Sequence, residues 1–114
     1  MKATAGSQSL ERCAQAFTVA ATATASATSV SLWLAGEASW FALPGEAERV
    51  ELPDSAFLVD KLAVVLARGK VTLCATCAAR RDITPGVVRA GVRVAGPAVF
   101  VEECLTPGAL AMVY

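Results

Sequence analysis

Residues 71–83 read Val-Thr-Leu-Cys-Ala-Thr-Cys-Ala-Ala-Arg-Arg-Asp-Ile, and this stretch decides how the rest of the chain is interpreted. A short run of β-forming residues, Val71 to Leu73, leads directly into Cys74, and an Ala-rich helical segment follows. Where a strand passes into the first turn of a helix, backbone N–H groups and the helix dipole converge, and both lower the pKa of a thiol. We therefore predict that Cys74 is the reactive residue.

Three further side chains of this stretch are candidates for the site. Cys77 completes a Cys-x-x-Cys motif, which in a reduced protein is typical of redox, sulfur or metal chemistry. Arg80 and Arg81 add positive charge, which favours a thiolate or an anionic substrate such as a sulfite-like oxyanion. The alternative is structural: helix packing for the cysteines, and a plain surface charge for at least one arginine.

The composition limits the class of protein. The chain has 114 residues, of which 55% are hydrophobic and 18% are charged, so we expect a single domain, residues 1–114, with one core. Such a composition excludes a disordered chain. The formal net charge is zero and no block of basic residues occurs, so nucleic acid is not an expected partner. An apolar chain with a weakly charged surface favours self-association.

The four cysteines, Cys13, Cys74, Cys77 and Cys104, are irregularly spaced, unlike the framework of a secreted disulfide-rich domain. A chain with this much aliphatic material does not need disulfides, so we predict a reducing, cytoplasmic location. Cys13 and Cys104 fall at apolar helical positions and are expected to be structural. They have no Cys-x-x-Cys partner, so we predict no metal site.

The uncharged stretch from Cys13 to Gly36 has to be tested as a membrane span. It consists mostly of Ala, Thr and Ser, whose insertion into a bilayer is weakly favoured at best. A signal peptide is the other interpretation, but Glu11 and Arg12 stand too far from Met1 and in the wrong order. We expect a soluble protein with no membrane partner.

Helical and strand-like patterns alternate along the chain, and strands are predicted near residues 1–5, 30–34, 71–73, 92–94 and 109–113. This alternation indicates an α/β fold: a three-layer α/β/α sandwich with a mainly parallel five-stranded sheet, flavodoxin-like in style. Ligands of such sheets gather at the carboxyl ends of the strands, so the loops after Leu34 and Val94 should lie beside Cys74. No glycine-rich phosphate loop and no histidine occur, so we predict no cofactor and no Ser/His or Cys/His catalytic pair.

Residues 73–83 resemble the active loop of the DsrE/DsrF-like family, which includes the TusD-type sulfur relay proteins. In that family a strand ends in a cysteine, and a short Ala-rich helix, one or two arginines, a glycine and an aliphatic residue follow. The similarity spans most of the chain, including the Ala-rich first helix and the Leu-Trp-Leu strand with Gly36 after it. Asp82 stands where the family usually has glycine, which should change the turn after the helix, and the first strand is short.

The resemblance implies a DsrEFH-like fold, homo- or hetero-oligomers, and sulfur carried as a cysteine persulfide. By position, Cys74 matches the sulfur-bearing cysteine, and Cys77 matches a second thiol found in some members. The implied role of Cys77 is to resolve a persulfide on Cys74, which releases sulfide and leaves a disulfide between the two. The implied partners are sulfur donor and acceptor proteins or small thiols, together with further copies of the chain in a dimer, trimer or hexamer. The alternative is a non-catalytic oligomeric binding protein or a thiol redox sensor.

Overall fold

Four parallel strands form the sheet at the centre of the molecule, for which the computed structural model describes residues 1–26 and 29–114. Each strand pairs with the one before it in the chain, so the order across the sheet is the order in sequence: β1 (Lys2–Ala3), β2 (Ser31–Leu34), β3 (Lys70–Cys74) and β4 (Val92–Ala95). The helices are α1 (Leu10–Ser26), α2 (Leu58–Arg68), α3 (Ala75–Ala79) and α4 (Pro97–Leu105). The predicted α/β class with a parallel sheet is therefore confirmed.

The predicted fifth strand, residues 109–113, is wrong as a strand. Val113 forms a single isolated parallel bridge with Lys2. The Lys2 N–H donates to the Met112 carbonyl at 2.8 Å, and the Tyr114 N–H donates to the Lys2 carbonyl at 2.9 Å. The edge strand β1 is only two residues long, so it offers too few backbone groups for the C-terminal residues to build a full ladder.

The two faces of the sheet differ in chemistry. On one face, the row of side chains aligned across neighbouring strands is apolar, and it belongs to the core cluster that also contains Phe17 of α1 and Leu62 of α2. The row that alternates with it faces α4 and is largely polar: Lys2, Trp33, Thr72 and Arg93. Helices thus lie on both faces, but α1 and α2 cover one of them while the nine residues of α4 lie against the other.

The side chain of Glu103 holds α4 against this polar row. Its Oε2 accepts hydrogen bonds from the Ser31 hydroxyl at 2.7 Å and from Trp33 Nε1 at 2.8 Å, and Arg93 forms an ion pair with Oε1. Trp33 also packs edge-to-face on Phe100 of α4, with ring centroids 5.3 Å apart. The polar face of the sheet therefore makes these contacts with one helix, α4.

Several predicted boundaries shift. The sequence predicts a helix capped by Asp54 or Ser55, but α2 begins at Leu58. Asp54 adopts a left-handed φ of 55°, and Ser55 Oγ accepts a hydrogen bond from Lys61 instead of capping the helix. The short helices predicted near residues 37–43 and 84–91 are 3-10 turns at residues 36–42 and 85–87. The predicted end of the first helix, Ala27, lies outside the described residues. No helix in the described part of the chain is long and apolar enough to cross a membrane.

Candidate functional site

The strand-to-helix junction at the carboxyl end of β3 places the two thiols of the Cys-x-x-Cys motif close together. Cys74 is the last residue of β3 and the one immediately before α3, as the sequence predicts, and Cys77 follows within α3. Both are half-buried free thiols. Helix α3 has only five residues, so few peptide units are aligned and its dipole contributes less than a full helix would.

Gly36 provides a backbone donor to this pair. It follows β2, and its N–H donates to the Cys77 Sγ at 3.2 Å, so the loop after Leu34 does lie beside the motif. Gly36 has a φ of +51°, and a Cβ at this position would meet the Thr4 carbonyl oxygen at 2.8 Å. Both features require glycine, so the residue that breaks β2 also fixes a donor on the Cys77 sulfur.

The two arginines have different environments. Arg81 is largely buried, with 16% of its side chain exposed; its Nη1 donates to the Cys77 carbonyl at 3.2 Å, and its Nη2 pairs with Glu37. Arg80 is exposed and forms no ion pair with any described residue. Arg81 therefore belongs to the site, while an anion-binding role for either arginine stays a prediction.

The electrostatics of the site act on Cys77. Partial burial raises the pKa of its thiol, but the Gly36 N–H, the Cys74 side chain, the Arg81 guanidinium and the Ser39 hydroxyl together outweigh it and hold the pKa below its ordinary value. The Arg81 guanidinium likewise lowers the pKa of the Glu37 carboxyl, despite the opposing effect of its desolvation. At neutral pH the site thus favours a negatively charged sulfur at Cys77 more than an isolated cysteine does.

Ser39 is a residue of this site that the sequence gives no reason to select. It lies in the 3-10 turn after β2, is fully buried, and its Oγ has no hydrogen-bond partner in the described part of the chain. Buried hydroxyls are normally satisfied, so an unpaired one beside a thiol is informative. The only signal in the sequence is its position, three residues after Gly36 at the carboxyl end of a strand.

Asp82 ends the short helix in the conformation that glycine would adopt. Its φ is +53°, in the left-handed region, where aspartate is tolerated better than most residues. The chain then turns back so that the Ile83 N–H donates to the Ala78 carbonyl at 3.0 Å. Asp82 therefore occupies the left-handed conformation in which a glycine would be unstrained.

The other two cysteines lie away from this pair. Cys13 is 1% exposed in the core, and burial raises the pKa of its thiol to about 12, so its predicted structural role fits its position. Cys104 is half-buried on α4, at the opposite end of the sheet, in a cavity of about 760 Å³ that Ser31 and Lys70 also line. Among residues 1–26 and 29–114, no group of three or more His, Cys, Asp or Glu side chains is arranged to bind a metal.

A solved structure with the same overall fold is that of the ychN protein from E. coli, a protein of DsrE-like fold. The TM-score is 0.79, and the match covers 99% of this chain and 95% of that one at 17% sequence identity. No protein-family profile matches the chain, and no curated protein sequence does. The likeness supports the DsrE-like fold that residues 73–83 suggest, and at this identity it shows the fold alone.

Proposed function

We propose that this chain is a small sulfur carrier, with sulfurtransferase-like chemistry, that holds sulfur as a persulfide within the Cys74–Cys77 pair. The single observation that supports this function best is the hydrogen bond from the Gly36 N–H to the Cys77 Sγ. A persulfide carrier needs a thiolate that is reachable yet held in place, and a half-buried sulfur with a fixed backbone donor meets both needs. The DsrE-like fold is compatible with such a role.

The pair allows two orders of reaction. In the order that the sequence resemblance implies, Cys74 carries the persulfide and Cys77 resolves it. Sulfur reaches the carrier from a donor persulfide, either on a protein or on a small thiol, and leaves when an acceptor thiolate attacks the terminal sulfur. Arg80 or Arg81 binds the anionic part of a substrate in this proposal.

The test is the intact mass of the protein after incubation with glutathione persulfide. We expect the wild type to gain one sulfur atom, and the double variant Cys74→Ser/Cys77→Ser to gain none. Cys104→Ser is the matched control, because it removes a half-buried thiol at the other end of the sheet and should load as the wild type does. A wild type that takes up no sulfur, or a double variant that still takes it up, would eliminate the carrier function.

The closeness of the two thiols also favours a second candidate function, a thiol redox sensor that closes a Cys74–Cys77 disulfide. Neither function needs a resident cofactor or metal in this proposal. Incubation with oxidised glutathione separates the two candidates: a sensor forms the intramolecular disulfide readily and does not accumulate a persulfide from the persulfide donor.

Self-association is part of the proposal. Four of the exposed large apolar side chains lie on α4 or on the residues that follow it: Val101, Leu105, Leu110 and Val113. Exposed apolar side chains are often buried in an interface between subunits, so we propose that this region contributes to one. Light scattering on the purified chain tests it, since a strictly monomeric mass over the micromolar range would exclude a homo-oligomer.

A further inference from the structure

We infer that Cys77, rather than Cys74, is the thiolate that takes up the sulfur, and that the buried Ser39 hydroxyl is a positioning group for that sulfur. This assignment rests on the proposed carrier function and deepens it, because it says which sulfur accepts, which one resolves and what holds the charge. It reverses the order that the resemblance in sequence implies.

The geometry of the donors carries the assignment. The Gly36 N–H donates to the Cys77 Sγ at 3.2 Å, and the same turn carries Ser39, whose hydroxyl is fully buried and has no hydrogen-bond partner in the described part of the chain. Ser39 is also among the groups that lower the pKa of the Cys77 thiol. A neutral thiol is a weak acceptor and uses such donors poorly, whereas a thiolate uses both. The unpaired hydroxyl is thus accounted for if the working state of Cys77 is an anion.

Arg81 contributes the charge that a thiolate requires. Its guanidinium donates to the Cys77 carbonyl and pairs with Glu37, and both contacts favour a position close to the thiol. Its Nε is buried and makes no hydrogen bond to any described residue, which leaves one more donor in the site. The surroundings of Cys77 therefore contain a backbone donor, a hydroxyl and a cation, which also lower the pKa of its thiol.

The first step balances as a displacement at sulfur. The Cys77 thiolate attacks the terminal sulfur of a donor persulfide, R–S–SH; a new S–S bond forms on the Cys77 Sγ, the donor's S–S bond breaks, and R–S⁻ leaves with the electron pair. For delivery, the thiolate of an acceptor attacks the terminal sulfur, and Cys77 leaves as the thiolate that its donors stabilise. A stabilised thiolate is the better leaving group, so the same contacts serve uptake and release.

Without an acceptor, Cys74 resolves the persulfide. Its thiol gives its proton to water, the resulting thiolate attacks the Cys77 Sγ, and the terminal sulfur leaves as HS⁻. The two cysteines are oxidised to a disulfide while the sulfane sulfur is reduced to sulfide, and two equivalents of an external small thiol restore the pair. Cys74 thus limits how long the loaded form survives.

The first test measures sulfur uptake from glutathione persulfide in the two single variants. With Cys74→Ser, we expect the protein to load on Cys77 and to keep the sulfur longer than the wild type does, because nothing resolves it. With Cys77→Ser, we expect uptake to slow at least tenfold. If instead Cys77→Ser loads at the wild-type rate and Cys74→Ser abolishes loading, the role assignment fails while the carrier function stands; if the wild type does not load, the carrier function itself fails.

The second test isolates Ser39 by the pH profile of alkylation of Cys77 with iodoacetamide, in the Cys74→Ser background. We expect the midpoint to lie below the roughly 8.5 of an ordinary cysteine, and Ser39→Ala to move it upward with the fold intact by circular dichroism. Thr18→Ala is the control, because it removes a hydroxyl that already bonds to its own helix at the Ala14 carbonyl. If Ser39→Ala leaves the midpoint unmoved, the role of Ser39 is overturned. If the midpoint of the Cys74→Ser protein itself lies at or above roughly 8.5, the role of Cys77 is overturned.

Discussion

Cys13 and Cys77 are the same chemical group in two regions of one small molecule, and their environments act on them in opposite directions. Cys13 lies on α1 in the core, where burial raises the pKa of its thiol to about 12. Cys77 lies at the carboxyl edge of the sheet, where donors on its sulfur hold the pKa below its usual value in spite of partial burial. Desolvation alone therefore does not decide whether a cysteine is reactive.

The difference lies in the backbone around each sulfur. Cys13 is the fourth residue of α1 and lies in the hydrophobic cluster, where no described residue donates a hydrogen bond to its sulfur, so burial dominates. After β2 the chain leaves the sheet through Gly36, and the N–H of that residue points to Cys77 instead. The segment after a parallel strand thus supplies Cys77 with a backbone donor, and no such donor to Cys13 is found among the described residues.

The largest expected effect is the contrast in reactivity itself. In the native wild type at neutral pH, we expect iodoacetamide to modify Cys77 at least about a thousandfold faster than Cys13, which corresponds to roughly 4 kcal/mol. Peptide mass spectrometry of a quenched time course measures both rates in one sample. In guanidinium chloride the two rates should converge, and comparable rates in the native state would contradict the contrast.

Phe17→Ala should disrupt the core in which Cys13 lies, and so weaken the contrast with Cys77. Phe17 is fully buried and packs edge-to-face on Phe41, with ring centroids 5.7 Å apart, and Phe41 belongs to the turn that carries Gly36 and Ser39. We expect a loss of roughly 3–5 kcal/mol in the free energy of unfolding, measured by urea titration, together with a faster alkylation of Cys13. Phe17→Leu, which keeps most of the volume, is the control and should cost less.

Glu103 tests whether a donor-rich environment acts in the same way on a carboxylate. Partial burial raises the pKa of Glu103, but Trp33, Ser31 and Arg93 outweigh it and hold the pKa below its usual value. Because the folded-state pKa is the lower one, the stabilisation is present above the unfolded value of about 4.3 and is lost as the pH falls through the folded value.

We therefore expect Glu103→Gln to cost about 1 kcal/mol at neutral pH, and to cost less as the medium is acidified below about pH 4. Urea titrations of both proteins at several pH values measure this difference. The stability of the wild type should still fall in acid, because the pKa values of Glu37 and Glu48 are lowered too. A cost that is independent of pH would show that the carboxylate charge of Glu103 contributes nothing.

The smallest expected effect is at Asp82, which closes the turn after the reactive pair. Asp82→Gly should change the free energy of unfolding by no more than about 1 kcal/mol, as a gain, because glycine adopts the left-handed φ of +53° at no steric cost. Asp82→Ala should instead be destabilising. Thermal unfolding measures both. The rate of Cys77 alkylation should stay the same, which would show that the turn affects stability and not the reactivity of the thiol.

The sequence predicts the parallel α/β arrangement, the place of Cys74 at the end of β3, and the loop after Leu34 at the same edge. These follow from hydrophobic patterning and from the general behaviour of parallel sheets, so local residues suffice. The strand count is overestimated because a ladder needs a partner of matching length, and β1 provides two residues. That limit is set by a segment more than a hundred residues away from Val113.

The finer composition of the site is not readable in the sequence for a different reason. Arg80 and Arg81 are neighbours of identical chemistry, and only the turn of the chain after α3 decides that Arg81 reaches Glu37 while Arg80 faces solvent. Ser39 looks like any small residue in a turn, and its relation to Cys77 appears only when two separate loops are brought together. The direction in which a side chain points at the edge of the sheet depends on the tertiary structure, so the local sequence does not reveal it.

The succession of the strands has a consequence for how the molecule assembles. The four strands pair in chain order, so each newly synthesised strand can pair with the strand before it. The paired residues therefore lie relatively close together in the sequence. The contact between Gly36 and Cys77 forms as soon as β3 joins β2, well before α4 is needed. The hydrogen bonds between residues 2–4 and 112–114 must wait until residues 112–114 have been synthesised, so the thiol site can form while the β1 edge of the sheet is still open.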